Sequence, residues 1–109
     1  MDSKLLNGFL EMLILEVVSQ GPTYGYQITQ MVMDRSRGEF ALKEGSLYPA
    51  LHRLERQQFM ESYWSEFEGR RRKYYRLTAA GASALKQRRE EWKTFSQAVN
   101  GVLGLKFSS

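Results

Sequence analysis

The chain of 109 residues contains no cysteine, which excludes disulfide bonds, zinc ribbons and thiolate chemistry. It contains one histidine, His52, so we expect no transition-metal site and no cofactor. The longest apolar run, Met12 to Leu15, is far below the roughly 20 residues that span a bilayer. No basic segment followed by an apolar core opens the chain as in a signal peptide. We therefore expect a protein of the cytoplasm with no membrane partner.

Catalytic motifs are also scarce. His52 lies among arginines, with Glu55 as its one nearby carboxylate, and the sequence has no glycine-rich phosphate loop. We therefore do not expect an enzyme.

The basic residues are concentrated in one segment. The chain has 16 Lys and Arg against 12 Asp and Glu, a formal net charge of +4. Between Glu68 and Arg76 there are five positive side chains and one negative one, namely Arg70, Arg71, Arg72, Lys73 and Arg76 against Glu68. Like charges at a turn repel each other, which favours a polyanionic partner over the alternative of a solubilising loop.

Apolar periodicity predicts three helices in the first half of the chain. The first begins at the capping residues Asp2 and Ser3 and ends before Gly21-Pro22. The second carries an apolar stripe of Tyr26, Ile28, Met31 and Val32. The third opens at Gly45-Ser46, with Ser46 as N-cap and Pro49 in the first turn.

Two extended runs and a long helix follow. The runs are Met60 to Glu66 and Arg72 to Leu77, with a turn at Glu68-Gly69, and Thr78 caps a helix that continues to about Val102. This order predicts a mainly α fold with a small β-hairpin, a winged helix-turn-helix over 1–78 followed by a dimerisation helix and short tail over 79–109. Met60, Tyr63 and Trp64 are expected to pack in the core and hairpin.

The last helix carries an apolar seam that it cannot bury alone. Leu85, Trp92 and Val99 repeat every seven residues, with Phe95 and Val102 between them. We expect a homodimer that buries this seam together with Leu6, Phe9 and Leu10 of the first helix.

The third helix is the candidate recognition helix, because its outward side is aromatic and basic and a major groove admits one helix. The alternative is an ordinary solvated helix face.

On the second strand of the hairpin, Tyr75 lies on the same face as Leu77 and is expected in the core, whereas Tyr74 lies on the other face. The predicted contacts with double-stranded DNA are Ser46, Tyr48, His52, Arg53, Arg56, Arg70, Arg71, Arg72, Lys73 and Tyr74.

Three separated segments resemble the PadR family of bacterial regulators. Residues 21–28 (GPTYGYQI) are similar to its turn into the second helix, and 45–55 (GSLYPALHRLE) to its recognition helix. Residues 72–78 (RKYYRLT), followed by Gly81, are similar to its second wing strand and the start of the last helix.

The resemblance implies a transcriptional regulator, usually a repressor, that binds a palindromic operator as a homodimer through the third helix and the wing. A single final helix suggests the shorter branch of the family. Some short members hold flat aromatic or cationic compounds between protomers near a tryptophan of that helix, and Trp92 occupies a similar place. Packing of the dimer is the more ordinary role for Trp92. Two alternatives for the whole chain are a protein-interaction module and an architectural DNA-binding protein without sequence preference.

Overall fold

The computed structural model describes residues 6–106, which form four α-helices and one three-stranded antiparallel sheet. In chain order these are α1 (Leu10–Val18), β1 (Thr23–Tyr24), α2 (Gly25–Arg35), α3 (Glu44–Arg56), β2 (Met60–Phe67), β3 (Arg70–Leu77) and α4 (Ala79–Leu103). The predicted mainly α, winged-helix fold is confirmed. No helix within 6–106 is long and apolar enough to cross a membrane.

Helix α1 lies at the centre of the molecule. It packs against α2, α3 and α4, and Ile14 and Leu15 have no exposed surface at all. The single long first helix predicted from the sequence is wrong, because a turn at Gly8 and Phe9 separates the helical residues Leu6 and Asn7 from α1. Glycine in a helix interior costs about 1 kcal/mol relative to alanine, which favours the break at this point. The predicted caps Asp2 and Ser3 lie outside the described residues.

Helix α2 buries part of its predicted apolar stripe. Ile28 and Val32 are in the core, whereas Tyr26 is 67% exposed, so its expected place in the stripe is wrong. Tyr26 is the second residue of α2 and lies in its first turn.

Helix α3 begins earlier than predicted. Its N-cap is Lys43, whose carbonyl accepts from the N–H groups of Ser46 and Leu47 at 3.0 and 2.8 Å. Ser46 is therefore the third helical residue and not the N-cap, and Pro49 lies in the second turn. Since Pro49 has no N–H, the Gly45 carbonyl loses its intrahelical donor. Gly45 is exposed, so water can take that place. The buried side of α3 consists of Leu47, Ala50, Leu51 and Leu54, as the periodicity predicts.

The sheet has the order β1-β3-β2, and its hairpin is longer and tighter than predicted. Phe67 pairs with Arg70, so only Glu68 and Gly69 form the turn. Both have positive φ, 50° and 75°, as a two-residue turn matched to the strand twist requires. The strand β1 was not predicted, and it pairs Thr23 with Tyr75 and Tyr24 with Tyr74.

Helix α4 begins at the predicted cap. The Oγ1 of Thr78 accepts from the Gly81 N–H at 3.0 Å and donates to the Gln58 carbonyl at 2.6 Å. Gly81 lies so close to the Phe59 carbonyl that a Cβ at this position would overlap that oxygen. The helix ends at Leu103, one residue beyond the predicted end. The next residue, Gly104, has a φ of 75°, and this left-handed conformation stops the helix.

Candidate nucleic-acid interface

A groove separates the exposed side of α3 from the hairpin. Its volume is about 620 Å³. The start of α2, one flank of α3 and the strand β3 border it, through Tyr24, Gly25, Tyr26, Tyr48, His52, Trp64, Arg70, Arg72, Lys73 and Tyr75. The fold thus brings five of the predicted contact residues together at one groove: Tyr48, His52, Arg70, Arg72 and Lys73.

The α3 side of this groove is aromatic and polar. Tyr48 is 41% exposed, and its hydroxyl lies against the start of α2, where a Cβ on Gly25 would come within 2.9 Å of it. His52, one turn further along, is also exposed. Arg56 is exposed at the end of the helix. Because Gly25 has no side chain, the Tyr48 ring of α3 can lie against the start of α2.

Arg53 lies apart from these residues, on the other flank of α3. Its Nε is 3.6 Å from the Glu11 carboxylate of α1, and Arg88 of α4 approaches the same carboxylate at 3.9 Å. The side chain of Arg53 is still 45% exposed. Its predicted role in contacting bases stays a prediction, and the structure places it away from the groove between α3 and the hairpin.

The four consecutive basic residues of the hairpin have different surroundings. Arg70 and Arg71 are exposed at its tip, and the Arg71 guanidinium lies 4.9 Å from the centre of the Trp64 ring. Arg72 is half-buried over Tyr24, at 4.4 Å from the ring centre. Lys73 is half-buried as well, with its Nζ 3.6 Å from the Glu55 carboxylate of α3. The two tip arginines are therefore the more freely available of the four.

The adjacent tyrosines of β3 lie on opposite faces of the sheet, as predicted. Tyr75 is 2% exposed, and burial, with smaller contributions from the Glu55 charge and from Tyr48, raises its pKa to about 12. Tyr74 stacks on Tyr63 at 5.9 Å and packs edge-to-face on Tyr24 at 5.4 Å. Its predicted DNA contact is untested, and these contacts give it a packing role.

Two exposed aromatic residues at the groove, Trp64 and Tyr26, were not among the predicted contacts. Trp64 was expected to be packed, yet it is 57% exposed. It lies on the same face of the sheet as Tyr75, but it pairs with Lys73, which is nearer to the exposed tip of the hairpin. The second is Tyr26. The alternation of side chains along a strand does not show how far along the strand burial extends.

The residues predicted for a dimer interface divide into two groups. Leu6, Leu10 and Leu85 are buried inside the protomer and have little surface left for a partner. Trp92, Phe95, Val99 and Val102 are exposed on α4, and we call them the α4 apolar face. Phe9 is half-buried and packs edge-to-face on Trp92 at 4.9 Å.

The α4 apolar face continues into a cavity of about 350 Å³ between α1 and α4. Its lining is apolar and includes the rings of Phe9, Phe40, Trp92 and Phe95. Such a surface, left open on one protomer, suits burial against another apolar surface or a flat ring.

Comparison with known proteins gives a consistent result. The family described as transcriptional regulator PadR-like matches residues 14–87, which include the second half of α1, the helices α2 and α3 and the whole hairpin. A transcriptional regulator of Mycobacterium tuberculosis is 34% identical over 88 residues, which cover 81% of this chain and 79% of that protein.

Solved structures agree in fold. A transcriptional regulator from Clostridium thermocellum has a TM-score of 0.83 at 34% identity, over 90% of this chain and 96% of that one. A PadR family transcription regulator from Clostridium difficile has a TM-score of 0.76 at 37% identity, over 87% of this chain and 98% of that one. The chain therefore belongs to the PadR-like family of winged-helix, DNA-binding transcriptional regulators.

Proposed function

We propose that this protein is a cytoplasmic repressor that binds a palindromic operator as a homodimer. In this proposal α3 enters the major groove and the hairpin follows the adjacent backbone as a wing. The observation that carries it is that two outward side chains of α3 and three basic side chains of β3 border one groove, namely Tyr48, His52, Arg70, Arg72 and Lys73. A surface with this combination of positive charge and exposed aromatic rings suits a phosphate backbone and base edges.

The α4 apolar face supports the homodimer. Trp92 and Phe95 are 42% and 57% exposed in one protomer, although apolar rings of this size are usually buried. Two copies related by a two-fold axis would cover both faces and present two α3 helices. Half-sites would then be separated by one turn of DNA, about 34 Å.

The cavity beside Trp92 supports release by a small aromatic effector. A flat ring placed there would contact Trp92 and Phe9 from α4 and the start of α1, the two segments that the proposed dimer brings together. Binding would shift the relative position of the protomers and with it the spacing of the α3 helices.

Tryptophan fluorescence tests the effector with a panel of planar compounds. Trp64 is the other tryptophan of the chain and lies at the groove between α3 and the hairpin, so Trp64→Phe isolates the signal of Trp92. We expect saturable quenching by at least one compound, together with weaker DNA binding. A flat response across the panel would remove the effector from the proposal.

Binding to a duplex from the protein's own upstream region, with excess nonspecific DNA, tests the central proposal. Wild type should bind with resistance to the competitor, and a variant with residues 70–73 replaced by alanine should lose affinity for all DNA. Arg53→Ala should in addition relax the sequence preference. Binding that the competitor removes would favour an architectural protein, and no binding at low salt would favour a protein-interaction module.

A further inference from the structure

Glu55 of α3 contacts the strands β2 and β3 of the wing. Its Oε2 accepts a hydrogen bond from the Ser62 hydroxyl of β2 at 2.8 Å. Its carboxylate also lies 3.6 Å from the Nζ of Lys73 on β3. One side chain of the recognition helix is thus attached to both strands of the hairpin.

The position of Glu55 is costly for folding. Its Oε1 is buried and has no hydrogen-bond partner among residues 6–106, so the ion pair with Lys73 is what compensates the charge. A buried oxygen without a donor weakens the contribution of a carboxylate to stability, although a quarter of the Glu55 side chain stays exposed. The contacts with both strands of the hairpin therefore account better than stability for a carboxylate at this point.

Lys73 is held on the α3 side of the hairpin. Its Nζ lies 5.6 Å from the centre of the Tyr75 ring, and Tyr75 itself is buried. The ammonium group is drawn towards the helix by Glu55, whereas the neighbouring Arg71 remains exposed at the hairpin tip. The pair thus connects the wing to α3 at the rim of the groove.

We propose that Glu55 is a positioning residue that fixes the angle between α3 and the wing, and so sets how well the protein distinguishes its operator from other DNA. This inference rests on the proposed function. The operator must be contacted by α3 and the wing at once, and a wing free to tilt would satisfy both only in some of its orientations.

The charge of Glu55 makes the effect separable from a loss of stability. A carboxylate beside a phosphate-binding groove repels any DNA, so its neutralisation favours nonspecific binding. Loosening of the wing weakens operator binding. If Glu55 only stabilised the fold, its replacement would lower the affinity for the operator and the affinity for other DNA together.

Glu55→Gln is the direct test, because the amide retains the shape and an acceptor for Ser62 but loses the ion pair with Lys73. Glu61→Gln is the matched control: it also removes one negative charge, but from β2, where Glu61 pairs with Arg76 at 2.8 Å on the face of the sheet opposite to Ser62 and Lys73. The probe is a duplex of about 30 base pairs, or roughly three turns, selected by the wild type from a random library. Each protein is titrated with this duplex and with a scrambled one.

We expect Glu55→Gln to bind the scrambled duplex at least as tightly as wild type, and to lose about tenfold in the ratio of the two affinities, as for one charge-assisted contact. Glu61→Gln should keep the wild-type ratio. An unchanged ratio in Glu55→Gln, or an equal loss in both variants, would overturn the inference.

Ser62→Ala keeps the test decisive if Glu55→Gln does not fold. This variant removes the hydroxyl that holds Oε2 and retains the charge, so it should also lower the ratio, without a gain on the scrambled duplex. A folded Ser62→Ala with the wild-type ratio would contradict the inference. Failure of the wild type itself to distinguish the two duplexes would contradict the proposed function instead.

Discussion

Removal of the two arginines at the wing tip should flatten the salt dependence of DNA binding. Arg70 and Arg71 are both exposed, so the double alanine variant removes two charges per protomer and four per dimer. At about 0.9 in log–log slope per neutralised phosphate, the slope should fall by about 3.6. Over a fourfold rise in salt, wild type should then lose affinity by roughly 150-fold more than the variant does.

Fluorescence anisotropy with a labelled duplex at several salt concentrations measures this slope. The matched control is the double alanine variant of Lys86 and Lys106, which removes the same charge at exposed positions of α4 and of the segment after it. The control should keep the wild-type slope. An unchanged slope in the arginine variant, or an equal decrease in the control, would refute the placement of DNA at the wing.

Three further predictions concern the fold and the dimer. Gly81→Ala should destabilise the protein by about 3 kcal/mol in urea unfolding, because the added Cβ overlaps the Phe59 carbonyl, whereas Gly101→Ala, with open space around it, should not destabilise. The stability that the raised pKa of Tyr75 contributes should be fully present below pH 10 and be lost as the pH rises from 10 to 12. Wild type should lose about 3 kcal/mol more than Tyr75→Phe over this window. Equal pH dependence of the two proteins would contradict the burial of this phenol. Phe95→Asp should give monomers in sedimentation and weaken operator binding, and a stable dimer would count against the α4 apolar face.

Local sequence signals predicted the features that depend on local chemistry. Thr78 caps α4 as expected, because a threonine hydroxyl can reach a first-turn N–H within its own segment. Tyr75 is buried and Tyr74 lies opposite, because side chains alternate along any strand. The buried side of α3 follows from its periodicity in the same way.

The remaining features depend on neighbours that are distant in sequence. The helical periodicity of α3 shows on which side of the helix Arg53 lies, but it does not show that Glu11 is its neighbour. The two side chains meet because α1 packs against α3. The two-residue strand β1 is too short for a periodic signal and forms because β3 lies next to it. Likewise the alternation in β2 does not show how far along the strand burial extends, and Trp64 is exposed.

In the proposed complex, two copies of α3 and two wings contact one DNA site. Hydroxyl-radical footprinting of the wild-type protein on its selected duplex shows which sugars they cover. We expect two protected half-sites separated by about one turn, each flanked by backbone protection that the double alanine variant of Arg70 and Arg71 loses. A single protected half-site, or uniform weak protection along the duplex, would contradict the binding of one DNA site by two copies of α3 and two wings.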